Sequence, residues 1–114
     1  MSAITTHVLD TARGRPAAGV AVLLAKVLPD GDTALQAHGS TDEDGRLRTL
    51  LPAGAPLDPG IYRLTFATAD YFHAQGVEAF YPHVVIDFEV RDGGQHYHVP
   101  LLLSPFGFST YRGS

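Results

Sequence analysis

Apolar residues in this chain recur at every second position rather than at every third or fourth. In the segment 84–90, for example, Ile86 and Phe88 alternate with Asp87 and Glu89. A period of two places successive side chains on opposite faces of a β-strand, so that one face can be buried while the other meets water. The same alternation returns in the segments that surround Leu64 and Leu101. A chain dominated by this period is expected to fold as packed sheets and not as a helix bundle.

Turn-forming residues separate the alternating segments, and the 12 glycines and 8 prolines among the 114 residues are concentrated there. The sequence predicts eight strands, near residues 3–9, 20–27, 34–40, 46–50, 60–68, 83–90, 95–103 and 107–112. Because the run 20–27 is apolar except at Lys26, it predicts a central strand that is covered on both faces. Eight short strands with regular turns indicate an antiparallel β-sandwich.

One short helix is predicted between Ala69 and Gln75, with Thr68 or Asp70 as its N-cap and Gly76 as its stop. A chain of 114 residues is long enough for one hydrophobic core and too short for two. We therefore expect residues 1–114 to form a single domain.

Composition narrows the possible classes of function. Acidic residues outnumber basic ones by 12 to 8, which argues against a basic surface that binds nucleic acid. The absence of cysteine excludes thiolate nucleophiles, zinc fingers and iron–sulfur clusters. The longest apolar run is too short to cross a bilayer, and Met1 is not followed by a signal-peptide pattern. We expect a cytoplasmic domain with neither a nucleic-acid nor a membrane partner.

Six histidines are the most unusual feature of the composition. His96 and His98 lie two apart on a predicted strand, so both project from the face opposite Tyr97. That face could meet solvent, a groove or another subunit, and a His-x-His pair can also hold a metal ion. Pro100 follows on the same face, and because proline donates no hydrogen bond its position must be unpaired, at a sheet edge or at a bulge.

Two further side chains, those of His7 and Arg46, are candidates for a functional site, but the strand pattern does not predict that they lie close together. His7 shares one face of the first strand with Thr5 and Leu9, whereas Arg46 follows an acidic turn at residues 42–45. The simplest interpretation of Arg46 is a surface charge that pairs with those carboxylates.

Five segments together resemble the transthyretin-like 5-hydroxyisourate hydrolases of purine breakdown. They are residues 6–17, 41–46, 80–83, 96–105 and 111–114. The resemblance covers essentially the whole chain, and its most specific part is the terminal Tyr111-Arg112-Gly113-Ser114, which separates the hydrolases from the hormone-carrying transthyretins.

This resemblance implies a transthyretin (prealbumin)-like, all-β sandwich of two four-stranded antiparallel sheets with one short helix. It also implies a homotetramer, built as a dimer of dimers, with the active site in the groove between the dimers. The family's catalytic roles fall on His7, Arg46 and His98. Its substrate-binding roles fall on His7, Arg46, Tyr111, Arg112 and Ser114. Neither a cofactor nor a metal ion is expected.

The implied reaction is hydrolysis of 5-hydroxyisourate to 2-oxo-4-hydroxy-4-carboxy-5-ureidoimidazoline in urate catabolism. Histidine has a suitable pKa to deprotonate the attacking water near neutral pH, and arginine can stabilise the negative charge that develops on the ring. We expect His98 to be the base and His7 to be a binding group or an acid, although the sequence does not order the two. The alternatives are a carrier with an apolar channel and a metal-binding sandwich that uses His96 and His98.

Overall fold

The structure is a computed structural model that describes residues 2–114, and this part of the chain contains nine strands and one helix. In chain order the elements are β1 (Ile4–Asp10), β2 (Arg15–Pro16), β3 (Ala21–Val27), β4 (Thr33–Ser40), β5 (Arg46–Leu47), β6 (Gly60–Phe66), α1 (Thr68–His73), β7 (Val84–Val90), β8 (Tyr97–Ser104) and β9 (Gly107–Thr110). All eight predicted strands are present. The strands predicted at 46–50 and 107–112 are shorter than expected, and the two-residue strand β2 was not predicted.

The strands form two sheets. One sheet has the order β4-β3-β6-β7, and the other has the order β2-β1-β8-β9, with the two-residue β5 also paired to β1. The predicted fold, a sandwich of two four-stranded sheets with one short helix, is confirmed. One pair departs from the predicted antiparallel pattern, because β1 and β8 run parallel. Parallel neighbours need a long crossover connection, and here that connection contains all four strands of the opposite sheet.

The core lies between the sheets and is built from the inward-facing residue of each alternating pair. Val8, Leu24, Leu64 and Leu101 each come from a different strand and are fully buried. Strand β3 is central, as predicted, but the prediction that both of its faces are covered is wrong, because Leu23 is 47% exposed. The outer face of a two-layer sandwich has no further layer to cover it.

The predicted helix is confirmed, but its predicted capping is not. Residue Ala67 is the N-cap, and no side chain caps the helix, so neither Thr68 nor Asp70 has that role. Thr68 is instead buried within the first turn. Gly76 adopts a φ of +70° just after the helix, as expected of a residue that ends one. No helix in the described residues is both long and apolar enough to cross a membrane.

Pro100 lies on a strand with neighbours on both sides, and not at an edge or a bulge. Tyr97 and Leu103 direct their backbone groups towards β1, so the alternate residues His98 and Pro100 direct theirs towards β9. The β8–β9 ladder stops after Leu101, and pairing resumes only at the single bridge between His98 and Gly113. Pro100 therefore occupies a gap in the ladder, where no donor is needed. Its carbonyl accepts a hydrogen bond from the Thr110 hydroxyl at 2.6 Å.

Candidate functional site

His7 and Arg46 are brought together by the short strand β5. The register of β1 and β5 pairs these two residues directly, so the arginine that the sequence left as a surface charge lies beside the histidine. A tight turn precedes Arg46, in which one carboxylate oxygen of Asp42 accepts the backbone N–H groups of Asp44 and Arg46, each at 2.9 Å. Gly45 completes the turn with a φ of +75°, and a Cβ there would collide with the carbonyl oxygen of Val8. The turn thus fixes where Arg46 begins its strand.

His98 is placed against β1 by the parallel β1–β8 pairing. Its register partner is Thr5, and the next outward-facing pair along the two strands is His7 with Pro100. The Thr5 hydroxyl lies 2.8 Å from Nδ1 of His98 and 2.9 Å from Nε2 of His96. Strands β1 and β8 therefore put His7 and His98 on one outer face of the sandwich, and His96, immediately before β8, joins them through Thr5.

A shallow cavity of about 150 Å³ opens on this face. Its lining residues are Thr5, Thr6, Arg46, Arg48, His96, His98 and Ser114. His7 lies beside the cavity rather than in its wall. The structure thus brings Arg46, His98 and Ser114 into one cavity and places His7 next to Arg46.

The environment keeps both site histidines neutral near neutral pH. Burial lowers the pKa of His7 below the usual 6.5, and the positive charge of Arg46 lowers it further. Burial also lowers the pKa of His98, and repulsion from His96 and His7 when they are protonated, and from Arg46, acts in the same direction. A neutral imidazole has one bare nitrogen that can accept a proton or a hydrogen bond.

The tautomer of neutral His7 follows from its hydrogen bond. Its Nε2 lies 2.9 Å from the carbonyl oxygen of Asp44, and because a carbonyl only accepts, Nε2 carries the hydrogen and donates it. Nδ1 is then the bare nitrogen of His7, and it can accept a hydrogen bond.

The residues of the terminal segment separate into two groups. The Gly113 N–H donates to the His98 carbonyl oxygen at 2.8 Å, which holds Ser114 at the cavity. Tyr111 and Arg112 instead line a neighbouring cavity between β7 and β8. Arg112 stacks over the Tyr97 ring, with its guanidinium carbon 4.7 Å from the ring centroid. His98 lines this second cavity as well, so within one chain Tyr111 and Arg112 share a cavity with His98 but not with Arg46 and Ser114. Their predicted contact with substrate stays a prediction.

No set of three or more histidine, cysteine, aspartate or glutamate side chains that could hold a metal ion occurs in residues 2–114. Nε2 of His96 and Nδ1 of His98 both contact the Thr5 hydroxyl. This arrangement favours a hydrogen-bonded network over the His-x-His metal pair that the sequence left open.

Four polar residues of the site were not predicted from the sequence. Thr5, Thr6 and Arg48 line the cavity, and Asp42 organises the turn that delivers Arg46. Threonine is a common strand residue, so its identity carried no signal. The one available indication was position, because Thr5 shares its strand face with His7.

A general base beside a fixed cation, in a cavity open to water, is suited to hydrolysis of an activated carbonyl compound. His98 can supply the base and Arg46 the cation. The polar residues of the cavity, by contrast, do not resemble the lining of a channel for an apolar ligand.

Comparison with known proteins supports this interpretation. A 5-hydroxyisourate hydrolase of Caulobacter vibrioides is 52% identical over 119 aligned residues that cover 100% of both chains. The solved structure of Klebsiella pneumoniae 5-hydroxyisourate hydrolase is 40% identical, with a TM-score of 0.82 over 97% of this chain and 98% of that one. Sea bream transthyretin, solved in complex with thyroxine, is 31% identical, with a TM-score of 0.90 over 98% of this chain and 95% of that one. The family model described as HIUase/transthyretin matches residues 4–113. The chain therefore belongs to the HIUase/transthyretin family.

Proposed function

We propose a mechanism by which this chain, a 5-hydroxyisourate hydrolase of urate degradation, opens the ring of its substrate. The observation that carries the proposal is the meeting of three predicted residues on one sheet face. His7 pairs with Arg46 across β1 and β5, and His98 follows on the adjoining strand. A small, planar, oxygen-rich heterocycle would lie on this face with its reactive carbonyl between Arg46 and His98. The product is 2-oxo-4-hydroxy-4-carboxy-5-ureidoimidazoline.

His98 activates the water in this mechanism. Its Nε2 accepts a proton from water while the water oxygen attacks the ring carbonyl, because Nδ1 is already engaged by Thr5. The low pKa of His98 keeps the imidazole neutral and able to accept that proton near pH 7. When the ring C–N bond breaks, the same proton passes from Nε2 to the departing nitrogen. His98 thereby returns to its neutral form.

Arg46 stabilises the oxygen that becomes negatively charged during attack. A guanidinium stays protonated throughout the physiological range and can donate two parallel hydrogen bonds to an oxyanion. Its position is set by β5 and by the Asp42 turn, so little reorganisation is needed when the charge develops.

His7 is assigned to binding rather than to acid catalysis. An acid would need a proton on both nitrogens, whereas burial and Arg46 lower the pKa of His7 and favour the neutral form. Since Nε2 donates to the Asp44 carbonyl oxygen, Nδ1 can accept a hydrogen bond from a substrate N–H or O–H group. Of the two roles that the sequence left open for His7, we propose binding.

A homotetramer, with the groove shared between dimers, is part of the proposal. The cavity on one chain has about 150 Å³, below the roughly 300 Å³ at which small-molecule pockets usually begin. A second copy over the same face would deepen it. Tyr111, which is 59% exposed, and Arg112 could then reach substrate in the assembled groove. The cytoplasmic location remains a prediction from the sequence.

The substitution Arg46→Ala tests this assignment. We expect it to lower kcat/KM for 5-hydroxyisourate by at least about a hundredfold, since one charge-stabilising donor contributes 10² to 10³ in rate. Turnover is followed as loss of 5-hydroxyisourate absorbance, with the compound made in situ from urate and with chelator present. The matched control is Arg91→Ala, because Arg91 has a side chain that is 83% exposed and lies outside the site. Wild-type activity in Arg46→Ala would exclude the assigned role.

A carrier function is the second candidate, favoured by the similarity to thyroxine-bound transthyretin. The two functions differ in one solution property. A carrier would bind thyroxine without accelerating loss of 5-hydroxyisourate, whereas the proposed function requires acceleration over the spontaneous reaction.

A further inference from the structure

The Thr5 hydroxyl is held between two histidines and has no other hydrogen-bond partner among residues 2–114. Thr5 is only 3% exposed, so water does not readily replace these contacts. The hydroxyl is 2.8 Å from Nδ1 of His98 and 2.9 Å from Nε2 of His96, and both distances are those of good hydrogen bonds. The two imidazole rings lie nearly parallel, at 22°, with their centroids 6.3 Å apart.

The Thr5 hydroxyl has a single hydrogen, so the protonation states of the two imidazole nitrogens that contact it depend on each other. If Thr5 donates to one imidazole nitrogen, the other nitrogen must carry its own hydrogen and donate to Thr5. Were both nitrogens protonated, the buried hydroxyl hydrogen would have no acceptor, which is unfavourable. If neither nitrogen carried a hydrogen, the hydroxyl could donate to only one of them, and the other would lack a hydrogen-bond donor. The tautomer of neutral His98 therefore depends on Thr5 and His96.

We propose that Thr5 and His96 are positioning residues that hold His98 in the tautomer with its hydrogen on Nδ1 and with Nε2 bare. The inference rests on the proposed function, in which Nε2 of His98 takes the proton from water. His98 Nδ1–H donates to Thr5, and the Thr5 hydroxyl donates to Nε2 of His96. His96, considered from the sequence as a metal ligand or a solvent-facing residue, thus acts on the reaction through a neighbour.

This direction of the hydrogen bonds, from His98 through Thr5 to His96, also suits the charged state that follows proton transfer. Once Nε2 is protonated, the His98 imidazolium still donates through Nδ1 to the Thr5 oxygen, and no hydroxyl has to rotate. In the opposite direction Thr5 would point its hydrogen at His98, Nε2 would already carry a hydrogen, and His98 could not act as base. Donors and acceptors that are aligned before the reaction avoid reorganisation during it.

The tautomer can be read directly, without substrate. In protein labelled with ¹⁵N-histidine, at about pH 8 where the imidazoles are neutral, NMR distinguishes a protonated Nδ1 from a protonated Nε2. We expect wild-type His98 to carry its hydrogen on Nδ1. In Thr5→Val, which keeps the shape and removes the hydroxyl, we expect a substantial Nε2–H population. Thr5→Ser should restore the wild-type spectrum, and Thr65→Val, in the opposite sheet, should leave it unchanged.

Kinetics give the second readout. Thr5→Val and His96→Ala should each lower kcat about tenfold, less than the hundredfold or more expected from losing the base itself, with KM nearly unchanged. His96→Gln should recover most of the loss, because its side-chain oxygen can accept the Thr5 hydrogen bond. Combining Thr5→Val with His96→Ala should add little further loss, because both residues act along one path.

The outcomes separate this inference from the function on which it rests. An unchanged His98 tautomer in Thr5→Val, or full turnover in both single variants, would overturn the positioning role. If Thr5→Val fails to fold, the His96→Ala and His96→Gln pair decides the question, since His96 is exposed. A wild type that shows the Thr5-dependent tautomer but does not hydrolyse 5-hydroxyisourate would overturn the proposed function instead.

Discussion

His7 and His98 are held in different ways, and the difference sets what each can do. The Nε2–H of His7 is committed to the Asp44 carbonyl oxygen, whereas His98 is contacted at Nδ1 by the Thr5 hydroxyl. Both rings are partly withdrawn from water, and burial is the largest reason why the pKa of each lies below 6.5. A base that remains neutral below pH 7 keeps its activity under mildly acidic conditions.

The pH profile of kcat/KM should reflect these low pKa values. Because the base must be neutral, activity is lost only as the pH falls through the lowered pKa of His98. We therefore expect the acidic limb to have its midpoint below 6.5, measured from about pH 5 to pH 8 with the free enzyme at low substrate concentration. A midpoint at or above 6.5 would show that the base is not held in this environment.

The site residues have no local sequence pattern that predicts their proximity. His7, Arg46 and His98 were identified through the family resemblance, whereas periodicity alone left them unconnected. Their meeting depends on the parallel β1–β8 pairing and on the two-residue strand β5, and neither has a local sequence pattern. Thr5 was not predicted because threonine is common in strands, and its role depends on contacts that the sequence does not show.

At the scale of elements, β8 and the segment after β9 work as one unit. Pro100 interrupts the ladder between them, and the bridge from Gly113 to His98 closes it again. A Cβ on Gly113 would lie 2.6 Å from Cδ2 of His98 and 3.3 Å from Cγ of Pro100. The φ of Gly113 is not positive, so close approach to the His98 ring, and not a tight turn, is what requires a glycine here.

The substitution Gly113→Ala should therefore disturb the site without unfolding the sandwich. The added methyl group must displace either the His98 ring or Ser114, and we expect kcat/KM to fall about tenfold, as misplacement of a catalytic group by a fraction of an ångström can cause. The melting temperature should be nearly unchanged. Gly107→Ala is the matched control, because its Cβ would meet nothing closer than 3.7 Å. Equal activity of the two variants would argue against the close-approach explanation.

Strands were easier to predict than their partners. Alternation located strands that have one buried face, as β7 shows with Val84 and Val90, whereas the strand at 20–27 was predicted from its apolar run. The exposed outer face of β3 was missed because an apolar run reads the same whether one face or both are buried. Strand order and direction depend on contacts between residues far apart in the chain, such as Thr5 with His98.

At the scale of the whole molecule, the cavity on one chain is shallow, and we expect a second chain to complete it. Aromatic side chains near β9 are also exposed, including Phe106 at 65% and Phe108 at 41%. Exposed apolar side chains that adjoin one another are typical of surfaces that meet a partner. Phe108 pairs with the core residue Leu103, on the face opposite His98, so covering the aromatic side chains and deepening the His98 cavity would take separate contacts.

We expect the active species to be a homotetramer. Four chains of 12.2 kDa give about 49 kDa, which light scattering after size exclusion can measure at micromolar concentration. Two-fold axes should relate the copies, so that the same residues meet across each interface. A fully active monomer of 12.2 kDa would contradict the shared groove.

The central claim is that this sandwich hydrolyses 5-hydroxyisourate with His98 as its base, and His98→Asn tests it most directly. Asparagine can still contact Thr5 through its amide but cannot take a proton from water. The measurement is the rate of 5-hydroxyisourate loss, made in situ from urate, for wild type, for His98→Asn and for buffer alone. We predict clear acceleration by wild type and a loss of at least about a hundredfold in His98→Asn, at unchanged melting temperature. A wild type no faster than buffer, or a His98→Asn variant as fast as wild type, would contradict the claim.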